Sequence, residues 1–157
     1  LCSIKTQFMK TLTMILLTVL AITVNKCSSN SKELKENLVI EYEAKTRGSF
    51  SKVIIKNDSL VVMEEGRNES VNYYPLAKKD WDMLVNQIQE IDKEKIKNYK
   101  APTSKRFSDA ARAASVRVVY KNEIYQSEEF DEGTPPKELK AFVDKVASLY
   151  MKNKNKK

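Results

Sequence analysis

The stretch that decides the fold is "NLVIEYEAKTRGSFSKVIIKNDSLVVMEE", residues 37–65. In its first third Leu38, Ile40, Tyr42 and Ala44 alternate with Val39, Glu41, Glu43 and Lys45, the period-two pattern of a half-buried strand. The pattern stops at "TRGSF", where Gly48 offers turn freedom, and a second strand follows through "SKVIIK". Asn57 and Asp58 carry a tight-turn signal, after which "SLVVMEE" returns as a third strand. Gly66 and Arg67 mark another reversal, and "ESVNYY", ending before Pro75, gives a fourth. Each connection is too short for a parallel crossover, so the expected arrangement is an antiparallel meander.

Working outward from there, the period changes at Lys78. In "KKDWDMLVNQIQEI" the residues Trp81, Leu84, Val85, Ile88 and Ile91 fall at helical spacing, which predicts one amphipathic helix with a core-facing stripe. Residues 93–112 are polar and irregular around Pro102, either a functional loop or a segment folded back across the sheet. "ASVRVVY", "KN" and "EIYQSEEF" read as a hairpin. A closing helix is expected with Thr134 as its cap, Pro135 and Pro136 in its first turn, and Leu139, Phe142, Val143, Val146, Leu149 and Tyr150 as its buried stripe. The expected fold class is α+β: an antiparallel sheet, made of a four-strand meander plus a hairpin, with two helices packed on one face.

Ahead of the domain, residues 11–24 carry no charge and follow Lys10, the order of a secretory signal. That run is shorter than the roughly 20 apolar residues a bilayer span needs. The divisions read from the chain are a signal peptide at 1–26, a polar tether at 27–36, one domain at 37–151 and a basic disordered tail at 152–157. Met9 followed by Lys10 is a natural start for such a leader, which places residues 1–8 upstream of it. Val24 stands three before Cys27, and a Ser-rich tether follows, which makes Cys27 the candidate for acylation and membrane attachment. Asn25 and Lys26 depart from the small residues usual in that gap, so an uncleaved anchor and an ordinary secreted form stay open beside it.

Composition narrows the chemistry. The 157-residue chain has no His, and no Cys follows position 27, so the domain has no Ser-His or Cys-His catalysis, no internal disulfide and no Cys-based zinc site. No metal and no cofactor is expected. The net charge of +7 lies outside the domain: setting aside Lys5, Lys10 and Lys26 in the leader and Lys152, Lys154, Lys156 and Lys157 in the tail leaves 21 basic against 21 acidic residues. A nucleic-acid surface would need a basic face, so no nucleic-acid partner is expected. The only glycines are Gly48, Gly66 and Gly133, which excludes Gly-rich phosphate loops.

Three short patterns bear on function. "SFSK", 49–52, matches the Ser-x-x-Lys of serine acyl transferases, but at a turn entering a strand and not on a helix. "EEFDEG", 128–133, gathers four carboxylates without the alternating spacing of an EF-hand, and acidic residues before a helix already suit its dipole. "SKRFSDAARAAS", 104–115, spaces Arg106, Asp109 and Arg112 as on a helix among small Ala residues. One reading is an internal Arg–Asp ion pair tying the loop down. The other is a recognition patch of Arg106, Asp109 and Arg112 completed by Arg47, Phe50 and Asp131.

Together, "TRGSF", "PLAKKDW", "KRFSDAA" and "FDEGTPP" behind a lipoprotein-type leader resemble the small lipoproteins of Bacteroidota, over nearly all of the exported part. The resemblance implies a cell-envelope location, at the periplasmic or outer-membrane face, and a compact α+β domain; it carries no catalytic residue over. The expected function is a non-enzymatic envelope lipoprotein that binds a protein or peptide partner, through a sheet edge or through the loop around Arg106 and Arg112. The alternatives are an envelope protease or hydrolase inhibitor, and a hydrolase limited to carboxylate, Lys or Tyr chemistry.

Overall fold

A computed structural model describes residues 35–66 and 69–154. Its strands are β1 (Leu38–Thr46), β2 (Ser49–Lys56), β3 (Ser59–Glu65), β4 (Ser70–Pro75), β5 (Ala113–Tyr120), β6 (Glu123–Gln126) and β7 (Phe130–Asp131), and its helices are α1 (Lys78–Glu90) and α2 (Lys140–Lys154). Short 3-10 turns occupy Lys93–Asn98, Lys105–Ser108 and Lys137–Leu139. The fold is α+β, with one antiparallel sheet in the order β4-β3-β2-β1-β5-β6 and β7 beside β5. The leader, Cys27 and the tether up to Leu34 lie outside the described residues, as do residues 155–157.

The alternation read in 37–65 becomes a buried face. Leu38, Ile40, Tyr42 and Ala44 of β1 are buried, and the register sets Ile55, Val53 and Ser51 of β2 beside the last three. Val116, Val118 and Ala114 line up on the other side of β1. The stripes Trp81, Leu84, Val85 and Ile88 of α1 and Phe142, Val143, Val146, Leu149 and Tyr150 of α2 are buried as well. Removing each such aliphatic side chain from water contributes about 1.5–3 kcal/mol, which fixes the register, because a one-residue slip would turn the whole set to solvent. Tyr150 donates from its hydroxyl to Glu64 Oε1 at 2.6 Å, tying α2 to β3.

The opposite face of the sheet is different in kind. Lys52 sits between Glu41 at 2.9 Å and Glu43 at 2.8 Å, and Arg117 reaches Glu41 at 3.3 Å. Beside this charged group the register aligns Ile54, Val61 and Tyr73, and next to them Met63 and Val71. Lys52 is thus consumed by two carboxylates. Ser49 and Lys52, three apart in a strand, point to opposite faces, so the Ser-x-x-Lys pair is not assembled.

Several local expectations are corrected. Gly48 sits in the expected turn between β1 and β2 but without a positive φ, which among the described glycines is taken by Gly66 (φ 156°) and Gly133 (φ 82°). The closing helix is not capped by Thr134: a 3-10 turn whose preceding residue is Pro136 leads into α2, and Thr134 instead donates its N–H to Asp131 O at 2.8 Å. The basic tail does not begin at 152. α2 continues through Lys154 because Asn153 Nδ2 donates to Leu149 O at 2.8 Å and Lys154 Nζ reaches Glu64 Oε1 at 2.7 Å. Residues 93–112 hold two 3-10 turns, the first pinned by Ile96, which is fully buried.

The strand expected through "EIYQSEEF" is broken. Register pairs Arg117 with Gln126 but Ala114 with Phe130, so the β6–β7 side carries one extra residue, a β-bulge. Ser127 fills it: its N–H donates to Val116 O at 2.9 Å, and its Oγ accepts from Val116 N at 3.1 Å. The consequence is that Phe130 and Asp131 both become buried.

Candidate functional site: the loop held by Asp131

The bulge delivers Asp131 beneath the 103–109 loop. Its carboxylate is only 1% exposed and accepts four hydrogen bonds. Thr103 Oγ1 donates to Oδ2 at 2.5 Å and Lys105 N to the same oxygen at 2.7 Å. Arg106 donates to Oδ1 twice, from its backbone N at 2.9 Å and from Nη1 at 3.2 Å. Burial alone would raise the Asp131 pKa, but the hydrogen bonds from Thr103, from the Arg106 and Lys105 backbone and from the Arg106 guanidinium hold it well below the usual carboxylate range. Arg106 Nη1 also donates to Thr103 O at 2.8 Å, closing the loop on itself.

What this arrangement displays is Phe107. The 3-10 turn Lys105–Ser108 ends at Asp109, which takes the left-handed conformation (φ 56°), and Ala110 N closes the turn onto Lys105 O at 3.1 Å. Phe107 is 79% exposed, with the Arg106 guanidinium 4.3 Å from its ring centroid. A cation held over one ring face by a buried carboxylate leaves the other ring face as the contact surface.

The six residues read from sequence divide into separate groups. Arg106 joins Asp131, whereas the helical spacing of Arg106, Asp109 and Arg112 is not realised, because the turn ends at Asp109 and Arg112 leads into β5. Arg47 Nε pairs with Asp109 Oδ2 at 3.5 Å, both well exposed, a contact worth little in stability. Arg112 Nη2 donates to Ala44 O and to Ser51 Oγ, and its Nε lies 3.6 Å from Glu132. Arg112 therefore ties the start of β5 to the ends of β1 and β2. Phe50 is half-buried on the opposite face of β2 from Ser51, lining a groove of about 480 Å³ with Lys45, Arg47, Glu65 and Glu69.

Phe107, Thr103 and Ser51 were not singled out in the sequence, and Glu132 was read only as one of the four carboxylates of 128–133. Phe107 had one signal, an aromatic residue inside a polar segment with no periodic apolar partner. The acidic run resolves into ion pairs: Glu128 with Lys100 at 2.8 Å, Glu129 with Lys45 at 2.8 Å, Asp131 with Arg106 and Glu132 with Arg112. Among the described residues no cluster of three or more His, Cys, Asp or Glu is placed to hold a metal ion.

Elsewhere, burial and then the charge of Glu132 push the Tyr42 hydroxyl far up. Hydrogen bonds with Glu64 and then Tyr150 push Lys154 up to about 12. Asp80, hydrogen-bonded to Lys145, is lowered, and Lys52 is raised against its burial by Glu43 and Glu41. These shifts move each group away from neutrality. No helix among the described residues is long and apolar enough to cross a membrane. No family model matches this chain, and no curated protein matches it.

Proposed function

We propose that this is a non-enzymatic lipoprotein of the cell envelope, attached through an acylated Cys27, whose domain binds a protein or peptide partner with the loop at residues 103–109. The observation that carries this reading is Phe107, exposed at 79% on a turn whose backbone is fixed by a buried carboxylate. An aromatic side chain left in water keeps its apolar surface available for burial by a partner, and one held rigid loses little entropy when a partner covers it. Aromatic and Arg side chains are the commonest binding hot spots, and the Arg106 guanidinium lies against this one. The finer layout belongs to the same reading: a four-strand meander extended by a hairpin, both helices on one face, and the loop and the other face left for contact.

The shifts of Asp131, Asp80, Lys52 and Lys154, all away from pH 7, favour binding over acid–base chemistry, which needs groups tuned toward neutrality. Within the binding reading, inhibition of an envelope protease or hydrolase is the variant favoured by a pre-organised loop, since such complexes form with little backbone movement. Intact-mass measurement of the membrane fraction tests the attachment. A diacyl or triacyl adduct that disappears in Cys27→Ser supports it, and an unmodified soluble chain overturns it.

A further inference from the structure

The two edges of the sheet are treated differently. The outer edge of β6 is lined by the 3-10 turn Lys93–Asn98, and β6 itself carries Glu123. Among the described residues β4 pairs only with β3, and "SVNYYP" contains no charged side chain. Edge strands are ordinarily protected by Lys, by other charges, by Pro or by a covering segment; β4 has only Pro75, at its last position.

The direction of the β4 backbone follows from one bond. Leu76 N–H donates to Asp58 O at 2.7 Å, which continues the β3–β4 register and makes Asp58 and Leu76 a hydrogen-bonded pair. Such pairs recur every second residue in an antiparallel ladder, so Tyr74, Asn72 and Ser70 turn their backbone groups toward β3. Val71 and Tyr73 therefore turn theirs outward. These two residues are also the exposed apolar side chains of the strand, at 53% and 76%, beside Met63 and Val61 on the face away from the core.

We propose that the β4 edge pairs antiparallel with the β4 edge of a second copy of this chain, about a two-fold axis at Asn72. In that register Val71 of each copy opposes Tyr73 of the other, and the two pairs exchange four ladder hydrogen bonds. Each Tyr73 ring lies across from a Val71 side chain, extending the row Ile54, Val61, Tyr73 into the other copy's Val71 and Met63. Pro75 meets Glu69 and, having no N–H, ends the ladder. The two-fold register sets an aromatic against a β-branched side chain twice and brings no like charges together, so the strand is complementary to its own copy. The contact is smaller than a standard interface, so the dimer is weak and concentration-dependent. β4 lies four strands from β5 in the sheet order, so this proposal does not depend on the 103–109 loop.

The test uses the full chain carrying Cys2→Ser and Cys27→Ser. Adding Asn72→Cys places two thiols at a non-hydrogen-bonded pair, where the Cα atoms approach to about 4.5 Å, within disulfide reach. Mild oxidation is expected to give a disulfide dimer at least tenfold faster than with Val71→Cys or Tyr73→Cys, each of which opposes a different position. In sedimentation, Tyr73→Pro deletes an outward N–H without removing a bond to β3, and is expected to lower the dimer association constant tenfold or more. A monomer at millimolar concentration with no cross-link at position 72 overturns the proposal. So does a cross-link from position 72 only to some other protein.

Discussion

Arg106 and Asp131, 25 residues apart in the chain, meet through two hydrogen bonds, one from the Arg106 backbone at 2.9 Å and one from its guanidinium at 3.2 Å. Two further bonds come from the Thr103 hydroxyl and the Lys105 backbone, so two of the four bonds hold the loop by its main chain and two by side chains. Asp131→Asn sets an amide donor against these donors and is expected to lower the thermal midpoint by roughly 10 °C. Arg106→Ala keeps the backbone bond to Asp131 and removes the guanidinium's bonds to Asp131 and to Thr103 O, and should cost about half as much. Thermal unfolding of the two variants checks the order.

Acid should loosen the same point. Asp131 and Asp80 hold their protons less tightly in the folded protein than in the unfolded chain, so their contribution is complete above the unfolded pKa of about 3.9. It is lost as pH falls through that value toward the folded pKa. Denaturant titrations from pH 6 to pH 2 should therefore show stability declining below about pH 5. A shallower acid slope is expected in Asp131→Asn.

Phe107 makes the opposite prediction. It is exposed and supports no core packing, so Phe107→Ala should leave the thermal midpoint within about 2 °C. Retention of the partner should fall tenfold or more, which equilibrium binding with the isolated partner would measure.

Ile96 anchors the irregular segment against β6 and is fully buried. Ile96→Ala is expected to cost about 2–5 kcal/mol, and limited proteolysis should then cut first between residues 93 and 112.

The parts of the fold legible in the sequence were those written in a period. β1 to β3 and the stripes of both helices follow local alternation that hydrophobic burial enforces. The bulge at Ser127 was not legible, because it depends on a register difference between two strands, and neither strand alone carries that information. For the same reason Asp109 read as the ion-pair partner of Arg106, and Asp131 as a residue of an acidic run that could complete the patch. Sequence proximity favours Asp109, but only Asp131 is brought under the loop by the bulge.

The most direct test of binding through the loop is photocrosslinking in intact cells, with benzoylphenylalanine in place of Phe107 in one variant and of Lys79, exposed on α1, in another. A discrete adduct from position 107 with none from position 79 is the predicted result. No adduct from 107, or the same adduct from both positions, would contradict the account.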